Sequence, residues 1–328
     1  MTTHPLISVE DLSVGIRLPQ GGERRILNEV SFDLRSGETL GIVGESGSGK
    51  SLLSLSLMGL LPPVGRTSGR IIFEGENLAD ADEDRLCEIR GNRIAMIFQE
   101  PLTALNPAMT IGDQIAEGLV WHRGVSWREA RMEAIDLLEQ VRIPDAKQRI
   151  ETYPHEMSGG QRQRVGIAIA LALKPSVMIA DEPTTALDVT VQAEILDILD
   201  DLVHEYGMSL ILVSHDLGVI ARMCSRTIVM YAGRIMEEGQ TADVLTRPLN
   251  PYTRGLISSV PHRAANGGRL PTIAGTVPGF ANLPQGCVFS DRCPDVIDAC
   301  HTTEPAWTRF DDGRGVRCIR AAEEAAKT

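Results

Sequence analysis

The chain has 328 residues, 43% hydrophobic and 23% charged, with a net charge of −12, enough for one large or two ordinary domains with a real core. The acidic balance argues against a general nucleic-acid binder, which needs a basic face. No apolar run approaches the roughly 18 residues of a spanning helix, and MTTHPLISVE lacks both the basic start and the apolar core of a signal peptide, so a cytosolic protein is expected, attached to any membrane through partners.

In chain order, Ile7 to Val14, Leu27 to Leu34 and Arg70 to Phe73 read as strands of an antiparallel layer. Thr39 to Val43 reads as a short buried strand, Leu52 to Leu61 as a helix, and GESGSGKS, Gly44 to Ser51, lies between them. That context is the one a phosphate-binding loop requires: small residues let successive N–H groups curl around an anion, and the helix N-terminus adds positive potential. Lys50 then reaches the β- and γ-phosphates, and the Ser51 hydroxyl ligates Mg²⁺. The bland alternative is a glycine-rich turn with no ligand.

Ile94 to Phe98 is a strand feeding Gln99, and from Pro101 strands are expected to disappear until Val177. Ser126-Trp127-Arg128-Glu129 predicts a capping box, Ala130, Ala134, Leu137, Leu138 and Val141 follow at helical spacing, and Pro144 is expected to end that helix. Ser158-Gly159-Gly160-Gln161 is either a plain capping box opening the helix of Val165 to Leu173 or, compatibly, a second anion site. Val177 to Ala180 is a strand ending in Asp181-Glu182-Pro183, where one carboxylate suits Mg²⁺ and one suits activation of water. Thr185-Ala186-Leu187-Asp188 follows. Val191, Ile195, Ile198, Leu199, Leu202 and Tyr206 make one apolar helical stripe stopped by Gly207, which is core packing. Leu210 to Val213 is a further strand, ending in Ser214-His215-Asp216. Alternating strands and helices imply a parallel sheet with its ligand at the carboxyl edge.

The ordered series GESGSGKS, IFQEP, MSGGQ, IADEP, TALD, SHD resembles the ATP-binding subunit of an ABC transporter, from about Ile7 to Gly239. The resemblance implies an α/β, ABC-type P-loop ATPase at 1–240, with an antiparallel β layer, a helical subdomain at about 100–157, and a C-terminal cysteine-containing extension at 241–328. It implies that Gly44, Glu45, Ser46, Gly47, Ser48, Gly49, Lys50 and Ser51 surround the phosphates of ATP. Gln99 becomes the glutamine that touches Mg²⁺ and links the site to the membrane partner. Ser158 and Gly160 contact the γ-phosphate held by a second subunit, Asp181 supports Mg²⁺, Glu182 polarises the attacking water, and His215 contacts the γ-phosphate. Asp188 lies on the dimer interface. Two departures are visible. Met157 stands where the family usually has Leu, a volume-conserving change. Ile16, in Val14-Gly15-Ile16, stands where the family commonly stacks an aromatic ring on adenine, and it has no π-face.

Beyond Gly239 the composition shifts to Pro, Gly and short polar stretches. Cys87 and Cys224 are isolated and read as ordinary thiols. Cys287, Cys293, Cys300 and Cys318 are spaced C-x5-C-x6-C-x17-C, which does not fit the close C-x2-C knuckles of zinc ribbons. By spacing alone they are a metal site or a coincidence. The tail, with NPYT and GCVFSDRCP, resembles the extension of oligopeptide/dipeptide-type importer ATPases, which implies a 4Fe-4S cluster on these four residues; zinc and free thiols are the alternatives.

The expected function is ATP hydrolysis powering di- or oligopeptide import. Partners implied by the resemblance are a second ABC ATPase subunit, often a different chain, two transmembrane permease subunits and an extracytoplasmic peptide-binding protein. The expected place is the cytoplasmic face of the cell membrane. The rivals are a soluble ABC ATPase of translation or repair, an iron-sensing module, and an importer ATPase for nickel or glutathione.

Overall fold

A computed structural model describes residues 4–18, 21–100, 104–185, 187–259 and 272–325; Pro101 of the IFQEP run and Ala186 of the TALD run lie outside them. The backbone divides into two compact units, one of Met1–Leu34, Thr39–Ala79 and Val213–Thr328, the other of Arg35–Glu38 and Asp80–Leu212.

In the first unit, β1 (Ile7–Arg17), β2 (Glu23–Leu34), β4 (Gly65–Phe73) and β5 (Glu76–Asn77) form an antiparallel sheet in the order β2-β1-β4-β5. Ile7, Val9, Leu12 and Val14 are all buried although their spacing breaks period two. A bulge between Val9 and Leu12 absorbs the extra residue, with Asp11 at φ 48° and its N–H donating to the Ser31 hydroxyl. The strands run further than their apolar cores suggest, because Gly15–Arg17 and Glu23–Arg25 continue the backbone ladder after the hydrophobic alternation stops.

The same unit contains a second run of strands, in the order β11 (Trp307–Arg309), β12 (Gly315–Arg317), β10 (Arg234–Gln240), β9 (Arg226–Tyr231), β3 (Thr39–Val43). β3 and β9 are parallel, and the remaining pairs are antiparallel. The C-terminal extension is therefore not merely loop-rich. Its hairpin adds to the edge of β10, with Glu237 opposite Val316 and Glu238 opposite Gly315. That hairpin escapes a sequence reading because its strands are three residues long and nearly devoid of aliphatic alternation.

In the second unit, β6 (Ile94–Ile97) pairs in parallel with β7 (Val177–Asp181), and β7 neighbours β8 (Ser209–Ser214). Every residue of β7 and β8 is buried, which is why they read as continuous apolar runs. Among the described residues between Glu100 and Val177 the regular elements are helical. The expected capping box is present: the Ser126 hydroxyl accepts from the Glu129 N–H and the Glu129 carboxylate accepts from the Ser126 N–H. The helix Trp127–Gln140 stops before Pro144, because Arg142 turns left-handed at φ 58°. The helix Ile111–Arg123 went unread in the sequence, although Thr110 caps its start and Gly124, at φ 66°, closes its end.

Candidate functional site

In the first unit, one group of candidate residues is built where β3 ends. The loop 44–49 is followed at once by helix Lys50–Leu57, earlier than the apolar run alone implies, because Gly49 caps it at φ 102°. Glycine is required at 44 by close approach: a Cβ there would lie 2.2 Å from the Met230 carbonyl oxygen at the end of β9. The turn after β9 braces the loop from below, with the Gly233 N–H donating to Ser48 O at 2.9 Å. Lys50 is 5% exposed and folds back over the loop, donating from Nζ to Gly44 O at 2.8 Å and Glu45 O at 3.1 Å. Ser51 sits in the first helical turn, half-buried. In the same unit His215 is exposed at the end of β8, ahead of Asp216, whose carboxylate caps the following helix by accepting from Gly218 N–H at 2.7 Å. Ile16 lies half-buried on β1, opposite Arg24 and Gly65.

In the second unit, another group of candidate residues lies at the carboxyl ends of β6 and β7. Asp181 is 4% exposed at the end of β7. Glu182 follows with φ 47°, a left-handed conformation that a non-glycine residue keeps only when its surroundings hold it there. Its Oε2 accepts from Gln99 Nε2 at 3.2 Å and from Thr185 Oγ1 at 2.9 Å. The glutamine and the second carboxylate of the sequence reading are thus brought together, and Thr185, unassigned in the sequence, fixes the same oxygen. Ser158 caps helix Gly159–Leu171 in a full capping box with Gln161. Gly160 faces helix Val189–Tyr206 so closely that a Cβ would meet Val191 Cγ1 at 2.5 Å. Asp188 caps that second helix, accepting from Thr190 and Val191 N–H, and Met157 is buried as its Leu-like volume demands.

The iron–sulfur expectation for Cys287, Cys293, Cys300 and Cys318 is overturned. Among the described residues no three His, Cys, Asp or Glu side chains are grouped to hold a metal ion. The four cysteines border one small cavity, and none is in a disulfide. Burial, acting first, pushes the Cys287 thiol up to about 11 and moves Cys293 and Cys318 upward as well, so these three half-buried thiols are held neutral.

The NPYT run is explained instead by what it ties down. Asn250 caps helix Pro251–Ser258, accepting from Tyr252 N–H at 2.9 Å, while its amide donates to Met236 O on β10 and Arg317 O on β12. The buried Glu237 carboxylate accepts the N–H groups of Leu249 and Asn250. Tyr252, fully buried, packs its ring 4.7 Å from Tyr231 and 5.2 Å from Phe289, centroid to centroid.

A glycine loop over a helix start, a bonded carboxylate–glutamine pair, and a capped Ser-Gly-Gly-Gln helix define an ATP-binding cassette. Residues 27–185 match the family model described as ABC transporter, and residues 236–300 match the oligopeptide/dipeptide transporter C-terminal region. The oligopeptide transport ATP-binding proteins OppD of Salmonella typhimurium and Escherichia coli are each 46% identical over 97% of this chain, covering 95% and 94% of their own lengths. A solved dimeric, post-hydrolysis state of the ATP-binding cassette MJ0796 bound to ADP and Pi is similar with a TM-score of 0.64 at 29% identity, covering 72% of this chain and 98% of that one. The chain belongs to the family of ABC transporter ATP-binding proteins of the oligopeptide/dipeptide type, and it is an ATPase. Among the described residues no helix is long and apolar enough to cross a membrane.

Proposed function

We propose that this chain is the ATP-hydrolysing subunit that powers di- and oligopeptide import through a binding-protein-dependent ABC transporter. It works at the cytoplasmic face of the cell membrane with a second ATPase subunit of different sequence, two permease subunits and an extracytoplasmic peptide-binding protein. The observation that carries the reading is the joint match of cassette and tail, continuous over 97% of the chain, to oligopeptide transport ATP-binding proteins.

In this reading the loop N–H groups of Gly44 to Ser51 and the Lys50 ammonium bind the triphosphate. Ser51, Gln99 and Asp181 offer only oxygen donors, a set that fits a hard Mg²⁺ ion, which when bound supplies charge shielding for the phosphates. Glu182 orients a water and accepts its proton as the water oxygen bonds to the γ-phosphorus. The bond from that phosphorus to the β–γ bridging oxygen breaks, leaving ADP and phosphate. Gln99 and Thr185 aim the Glu182 carboxylate by bonding one of its oxygens. His215 contacts the γ-phosphate, and Ser158 and Gly160 meet the nucleotide held by the second subunit. The test is uptake of a labelled tripeptide by cells whose own copy is replaced by the Lys50→Ala variant. Uptake should fall to background. Persisting peptide uptake with loss of nickel or glutathione uptake would reassign the cargo.

Ile16 leaves adenine without an aromatic stacking partner at that position. Ile16→Tyr is therefore expected to tighten ATP binding by about 0.5–1.5 kcal/mol, roughly two- to tenfold in Kd. Titration of the purified chain with ATP checks it; an unchanged Kd would place the adenine face on another residue.

A further inference from the structure

Glu45, second residue of the phosphate loop, is gripped by two residues of the C-terminal extension. Its backbone N–H donates to the Tyr252 hydroxyl at 2.9 Å. Its carboxylate takes a bidentate pair from Arg292, Nη1 to Oε2 at 2.7 Å and Nη2 to Oε1 at 2.9 Å. The Arg292 side chain is 5% exposed and its remaining donors are also engaged. Nε donates to Ala274 O at 2.8 Å, Nη2 to Gly275 O at 3.4 Å, and Nη1 to the Tyr231 hydroxyl at 3.3 Å. The guanidinium carbon lies 5.7 Å from the Tyr231 ring centroid and 6.0 Å from that of Phe289. A planar fork locked on every side is a fixed positive charge, not a wandering surface one. The Glu45 carboxylate beside it holds the guanidinium above its already high ordinary value, so it stays charged throughout the working range.

A carboxylate in a phosphate-binding loop opposes the anion the loop must hold. Left unpaired, it lowers the local positive potential that the N–H groups and Lys50 create. Paired in a bidentate, largely dry contact, it is neutralised, and the loop backbone is held at the same time through Tyr252. We infer that the C-terminal extension is a positioning brace for the phosphate loop, in which Arg292 and Tyr252 fix Glu45, cancel its charge and so set nucleotide affinity. The inference rests on the reading that residues 44–51 hold the phosphates of ATP.

The experiment measures MgATP affinity of the full-length chain by displacement of a fluorescent ATP analogue, with thermal melting as the check on folding. Lys50→Ala is the control for the loop itself and should lose binding. Arg292→Gln is expected to weaken MgATP by about fivefold to tenfold, because a buried-edge carboxylate is uncovered beside the anion. The double variant Glu45→Gln/Arg292→Gln, with no carboxylate left to neutralise, is expected to return to within about twofold of the wild type. A merely structural brace gives no such rescue. Wild-type affinity in Arg292→Gln, or a double variant as weak as the single one, overturns the inference. If Arg292→Gln does not fold, Tyr252→Phe decides: it keeps the packed ring, loses the acceptor for Glu45 N–H, and should bind MgATP about threefold more weakly at an unchanged melting temperature, whereas unchanged affinity overturns the inference. Should Lys50→Ala bind like the wild type, the reading of the loop itself fails, a result distinct from failure of the brace alone.

Discussion

Glu182→Gln is expected to stop ATP turnover while leaving ATP binding in place. The substitution keeps the side chain's shape and an oxygen for the bonds from Gln99 and Thr185, now at 3.2 and 2.9 Å, but removes the charge that in the proposed mechanism takes a proton from water. A positioned base contributes about 100- to 10,000-fold, so kcat should fall by at least about two orders of magnitude. Lys50→Ala acts at the opposite end of the reaction. Its ammonium, 5% exposed and held on the carbonyls of Gly44 and Glu45, is in the proposed mechanism the charge that meets the phosphates, and its loss should raise the Kd for ATP. Steady-state phosphate release and equilibrium ATP binding, measured on both variants in the assembled transporter, separate the two. Near-normal turnover in Glu182→Gln would remove it as the base.

Thr185→Val is a sharper probe of how that base is aimed. Losing the Thr185 donor to Oε2 should lower kcat several-fold with little effect on ATP affinity, since Thr185 bonds the glutamate. Equal losses in kcat and affinity would point to a general disturbance of the β7 end.

What the sequence made legible follows from the range of the interactions. The Ser158 cap and the Ser126 capping box are each set by residues three positions apart, so local pattern suffices to read them. The β8 and β7 strands were legible because buried parallel strands are apolar on both faces. The brace on Glu45 was not. Its two contacts span 207 and 247 residues of sequence, and nothing in a lone Arg between Asp291 and Cys293 announces an aromatic platform beneath it. The hairpin Trp307–Arg317 hid for another reason, since β12 is held by backbone pairing on β10 and β11 by pairing on β12, rather than by a hydrophobic period of their own. The cysteines show the converse error. Spacing counts residues between side chains but does not say how closely sulfur atoms approach, and burial of neutral thiols fills the same space without a metal.

Asn250→Ala should detach this extension from the sheet. The side chain caps a helix, and its amide bridges Met236 O on β10 to Arg317 O on β12. Asn250 is 1% exposed, so truncation takes a buried hydrogen-bond partner from two carbonyls and one N–H. A lost cap costs about 1 kcal/mol and each orphaned buried group about 1–3 kcal/mol, which puts the total at about 3 kcal/mol or more. Urea unfolding should show the loss, and hydrogen exchange should show it first in β12 and the Tyr252 helix. Neighbouring Glu237 supplies a pH signature for the same joint. Burial raises its pKa above the ordinary carboxylate value, against the pull of the Leu249 and Asn250 N–H groups. The folded state then binds its proton more tightly than the unfolded chain does, so this contribution to stability is complete below about pH 4.5 and is lost as pH rises through the raised value. Glu237→Gln cannot titrate and should flatten that stretch of the stability–pH curve. A slope identical to the wild type's would assign the titration to another group and leave Asn250 as the joint's main fastening.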